Sequence, residues 1–147
     1  MKKLIKPRPE ADAAASTARN AGPGRLIVAV YGVFALAATA RAAFQIATKF
    51  DEAPVAYLLS AFAAVVYIVA TVSLARAGAT SYKVSVAAVS IEMFGVLFVG
   101  LFGILDPAAL PDDTVWSGFG MGYGFVPLIL PIIGLWWLYR HRGSQHA

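Results

Sequence analysis

Arg41 and Glu92 each stand well inside a long apolar run, and they are the residues of this chain best placed to do chemistry. A charge near the centre of a membrane helix costs roughly 2.5–3.5 kcal/mol on insertion scales, so each is expected to face other protein and find a partner. At ~1.5 Å per residue, Glu92 lies roughly 12 Å and Arg41 roughly 22 Å from the same end of their runs. A direct pair is stretched, and water or a hydroxyl can bridge it. Helical spacing places Gln45 and Thr48 on the face of Arg41, and Ser60, Ala64, Tyr67 and Thr71 on one face of the second run. Ser85, Ala88, Gly95, Val99 and Gly103 share a mostly small face with Glu92. Arg41, Gln45, Ser60, Tyr67 and Glu92 therefore form a candidate intramembrane polar seam. Two readings are open: structural glue made of interhelical hydrogen bonds, or a proton, ion or ligand site.

A second stretch, Thr-Val-Trp-Ser-Gly-Phe-Gly-Met-Gly-Tyr-Gly at 114–124, ends in Gly-Tyr-Gly just before an apolar run. A potassium filter needs Thr and Val directly before that tripeptide. Gly120 and Met121 stand there instead, and Phe125 comes after it. Gly118 with Gly122, and Gly120 with Gly124, have the small-xxx-small spacing that lets helix backbones approach closely, so these four are expected to be helix-packing glycines. Leu110-Pro111-Asp112-Asp113 reads as a helix start, with Pro in the first turn and acids beside it. That helix either runs on into the next span or stays separate at the interface over about 111–120. Pro127 and Pro131 are expected to kink the last apolar run, since each removes a backbone donor.

Other chemistry is not evident. His141 and His146 lie beyond the apolar runs, so no axial haem ligand sits in the bilayer. No His/Glu cluster has metal-ligand spacing, no phosphate-binding Gly loop precedes Lys-Ser/Thr, and no Ser-His-Asp set can assemble on one side. With no cysteine there is no disulfide or thiolate site. Asp106, Asp112 and Asp113 are oxygen donors for a divalent cation, but they read more simply as a solvated loop. The expectation is a non-enzymatic protein with no cofactor and no metal.

Composition indicates the scaffold that holds these residues. Of 147 residues 59% are hydrophobic and only 14% charged, and the mean hydropathy is +0.70. That is a membrane composition. Four continuously apolar stretches, about 26–48, 54–75, 84–105 and 121–139, each approach the ~20 residues that cross ~30 Å of hydrocarbon as a helix. Alternating strands of a barrel do not fit them. The fold expected is all-α: a polytopic four-transmembrane-helix bundle over 25–140. A flexible basic tail at 1–24 precedes it and a short tail at 141–147 closes the chain.

Lys2, Lys3, Lys6, Arg8, Arg19, Arg25, Arg76, Lys83, Arg140 and Arg142 fall on one side, ten of the 12 Lys and Arg. Positive-inside bias therefore puts both termini in the cytoplasm. Trp116 is expected at the outer interface, and Trp136, Trp137 and Tyr139 at the inner one. The net charge of +4 reflects this bias. No basic stripe interleaves with aromatics, so nucleic acid is not an expected partner.

Thr-Lys-Phe-Asp-Glu-Ala-Pro (48–54), Asp-Asp-Thr-Val-Trp-Ser (112–117) and Gly-Tyr-Gly-Phe-Val-Pro-Leu (122–128) resemble stretches of small four-span integral membrane proteins of actinomycete type. The resemblance covers about 26–139 and implies the topology and a plasma-membrane location; it carries no functional residues. The function expected first is an accessory or scaffold subunit of a larger membrane or envelope complex. Its partners would be the bilayer and other membrane subunits, or copies of itself. The alternative is a small oligomeric transporter or permeation unit using the Arg/Glu seam.

Overall fold

The computed structural model describes residues 22–109 and 113–141, and their regular structure is all helical, without strands. Helix α1 spans Pro23–Lys49, α2 Pro54–Ala75, α3 Ala79–Leu105 and α4 Val126–Arg140. Proline in the first turn of α1 and α2 supplies the fixed φ that starts a helix without losing a bonded donor. Gly78, at φ 111, makes the corner from which α3 starts. A 3₁₀ turn, Phe50–Glu52, joins α1 to α2, and Ala53, Ala56 and Tyr57 pack it against the helix start. The expected tails lie outside the described residues apart from 22–24 and 141, and so do 110–112 of the expected helix start 110–113, whose Asp113 is not helical.

Three helices are long and apolar enough to cross a membrane, and a bent pair makes a fourth candidate. Consecutive helices pack side by side, while α1 barely touches α4. The body therefore has two ends. The tail end carries the start of α1, the α2–α3 turn and the end of α4. The loop end carries the α1–α2 turn and the segment after α3.

That segment departs from expectation. The fourth span, expected at 121–139, is a helix of only 15 residues, roughly 22 Å long against ~30 Å of hydrocarbon. Residues 113–125 do not extend it as an α-helix; they hold only a 3₁₀ stretch, Ser117–Tyr123, interrupted by left-handed residues. After a 3₁₀ turn at Pro107–Ala109, the chain turns back into the body and meets α4 at a bend of 99°.

The cause is backbone handedness. Gly118, Phe119 and Gly120 have φ of 61°, 60° and 85°, and Gly124 and Phe125 have 65° and 62°. Right-handed helix requires φ near ~−60°. Gly118, Gly120, Gly122 and Gly124 are thus not a helix-packing face. The break also precedes the prolines: Pro127 sits in the first turn of α4, and Pro131 lies inside one continuous helix.

The core runs from α1 to this loop. Tyr31, Tyr57, Tyr67, Val89, Val96, Val99 and Trp116 are all but sealed from solvent. Exposed Leu, Ile, Val and Phe cover the outer faces of the helices, as a surface facing lipid requires.

Candidate functional site

Trp116 is the keystone. Expected at an interface, it is instead 1% exposed, with its ring against Gly95 of α3. A Cβ on Gly95 would lie 2.5 Å from the ring. Ten residues separate Gly95 from the end of α3, so the indole sits roughly 15 Å below the loop end. Burying an indole there requires a partner for its N–H, and Nε1 donates to the Tyr67 hydroxyl at 3.1 Å. Two residues before it, Thr114 ties the turn: its N–H donates to Ser117 Oγ at 2.8 Å, and its Oγ1 accepts from the Trp116 N–H at 3.1 Å. These bonds satisfy backbone donors that have left water. Phe119 lies on Gly100 just as Trp116 lies on Gly95. Gly95 and Gly100 are two sockets on α3 for the loop.

Beneath Trp116 lies the buried carboxyl group. Glu92 is fully buried, and Tyr31 of α1 donates to its Oε1 at 2.5 Å. Tyr67 lies beside the same group. Oε2 is buried with no hydrogen bond. Tyr31, Phe34 and Tyr67 pack ring against ring, and Tyr67 against Trp116, closing the interior around Glu92.

Arg41 goes elsewhere. Its Nη1 donates to the Tyr123 hydroxyl at 3.2 Å, and no ion pair joins Arg41 to Glu92 among the described residues. The loop brings the Tyr123 phenol to the depth of Arg41, whereas the donor that reaches Glu92 is Tyr31, to Oε1. Arg41, Asp113, Thr114, Ser117 and Tyr123 line a cavity of about 380 Å³ open toward the loop end. A second hollow of about 250 Å³ lies between the loop and α3, sharing Asp113, Ser117 and Gly118.

The expected seam is therefore divided. Tyr67 and Glu92 meet in the core, and Arg41 belongs to the vestibule. Gln45 and Ser60 are buried, with Gln45 Oε1 and Ser60 Oγ unpartnered; such atoms are places for internal water. Tyr31, Tyr123 and Trp116 lie outside the expected seam. Tyr31 lies fourteen residues before Gln45 on the same helical stripe, a signal available from periodicity. Trp116 had no such signal, because its depth depends on the loop turning inward.

Chemically, the vestibule offers a guanidinium, a carboxylate, a phenol and two hydroxyls, a set that holds polar groups by hydrogen bonding. Compared with known proteins, the chain matches no family model, no curated protein and no solved structure. The resemblance to four-span proteins of actinomycete type gains no support from this.

Proposed function

We propose that this is a four-span protein of the plasma membrane, with both termini in the cytoplasm. In this reading it acts without catalysis as an accessory or scaffold subunit of a larger membrane or envelope complex. The loop-end vestibule, ringed by Arg41, Asp113 and Tyr123, is the surface it presents outside. One observation carries the choice over permeation: the interior that a pathway needs is filled by Tyr31, Phe34, Tyr67 and Trp116 around Glu92. The cavity lined by Arg41, Asp113 and Tyr123 lies toward the loop end and does not extend into that aromatic core. Irregular backbone at membrane depth is tolerated where protein buries it or a cavity takes its polar groups, and the loop has both. The positive-inside distribution supports the orientation.

Mild-detergent extraction from native membranes, with identification of co-purifying proteins, tests the reading. A stoichiometric membrane partner or a defined homo-oligomer is expected. Recovery of monomer alone, with nothing bound, counts against it.

The second reading, an oligomeric permeation unit, draws on the unpartnered Glu92 Oε2. Liposome flux abolished by Glu92→Gln in a protein that still folds and assembles would reverse the ranking.

A further inference from the structure

Between them, α2 and α3 leave a long groove open to the surroundings. Its deep part, about 270 Å³, is lined almost wholly by apolar side chains, among them Phe62, Val69, Val84 and Ile91. A wider part of about 410 Å³ continues it toward the tail end, where Arg76, Thr80 and Ser81 join Val69 and Val84. Val69 and Val84 line both parts, so this is one channel. Ala87 and Ala88 keep its floor low.

From Phe62 to Arg76 the channel tracks fourteen residues of α2, roughly 21 Å. That is one leaflet's share of a ~30 Å hydrocarbon core plus the start of the headgroup layer. The apolar part thus sits where acyl chains lie, and the polar end sits where headgroups lie. Arg76 is exposed at that end and forms no ion pair among the described residues. A guanidinium beside two hydroxyls suits a phosphate monoanion better than a zwitterionic headgroup, whose own cation Arg76 repels.

We infer that this groove is a binding site for one anionic phospholipid of the leaflet at the tail end, acyl chain along Val69 and Val84 and phosphate on Arg76. The inference rests on the membrane reading above and is independent of the accessory role. The bilayer supplies the ligand at high local concentration, and a juxtamembrane cation strengthens the attraction to anionic lipid.

The test uses the full chain purified in mild detergent and native mass spectrometry with equal phosphatidylglycerol and phosphatidylcholine. Preferential retention of phosphatidylglycerol is expected. Arg76→Gln should lower that preference about fivefold, while Arg140→Gln, a cation at the same end outside the groove, should leave it unchanged. Ala87→Trp, which fills the channel, should reduce retention of both lipids. If that variant does not fold, the comparison of the two arginine variants decides alone. Equal retention of both lipids by the unaltered protein, or a preference that survives Arg76→Gln, overturns the inference. Recovery of the protein in aqueous extract without detergent would instead overturn the membrane reading.

Discussion

At the tail end, neighbouring helices are tied by single polar links between otherwise regular elements. Ser85 Oγ donates to Ser73 Oγ at 2.9 Å, and the Tyr82 hydroxyl donates to the Leu138 carbonyl at 3.0 Å. Trp137 stacks on His141 there, buried, while Trp136 and Tyr139 are exposed where an interface belt is expected. At the loop end, cohesion comes from a segment that is not a regular helix. Trp116 and Phe119 fill gaps that Gly95 and Gly100 leave in α3. The chain holds its left-handed turns at Phe119 and Phe125, conformations that cost bulky residues energy unless the surroundings enforce them. Regular packing can lose one link and keep its shape; a wedged loop depends on each socket.

The largest break of that contrast is Gly95→Leu. The new side chain occupies the space of the Trp116 ring, so the indole is expelled and its bond to Tyr67 is lost. We expect destabilisation of about 3 kcal/mol, the lower end of what removing a buried Trp costs, read by unfolding in mixed micelles. The chain has no cysteine, so a Ser117→Cys reporter also measures where the loop sits. Its labelling rate should rise in the Gly95→Leu background. Unchanged stability and labelling would mean that Trp116 does not occupy the socket.

A sharper discrimination lies within the glycine run. Gly120 has φ +85, and a Cβ there would lie 2.7 Å from Pro127; at Gly122 a Cβ meets open space. Gly120→Ala should cost about 2 kcal/mol, and Gly122→Ala should stay within about 0.5 kcal/mol. A helix face built from both small-xxx-small pairs demands instead that Gly122 be as sensitive as Gly120. Equal sensitivity of Gly120 and Gly122 in the same unfolding measurement would restore the helix-face reading.

These glycines also show where sequence reading stops. Length and apolar content locate α2 at both ends, and place α1 and α3 within a few residues, because a helix in lipid must satisfy its own backbone over a fixed thickness. Depth matching on antiparallel helices brings Tyr67 to Glu92 for the same reason. Glycine spacing carries no sign of φ: residues four apart suit a helix face or a run of left-handed turns equally. Trp116 inherits that ambiguity, since an indole near a span end reads as an interface anchor unless the chain turns inward. Arg41 and Glu92 are a related case. Each needed a partner, but Tyr123 lies on the loop, and a tyrosine is less conspicuous than an opposite charge.

The smallest effects compare the two ends through one type of bond. Tyr31→Phe removes the donor to Glu92 Oε1 in a carboxyl group whose other oxygen is already unpartnered. The cost should be about 1–2 kcal/mol, as for a buried acceptor left unmade. Tyr82→Phe removes a half-buried bond to a carbonyl and should cost about 0.6 kcal/mol, near the average for interhelical bonds in a membrane protein. The ratio matters more than either value, because both variants lose one hydroxyl and are unfolded in the same micelles. Equal small costs would mean that water replaces the missing phenol at Glu92. The aromatic closure of Tyr31, Tyr67 and Trp116 would then be permeable, and the filled interior would no longer exclude a pathway.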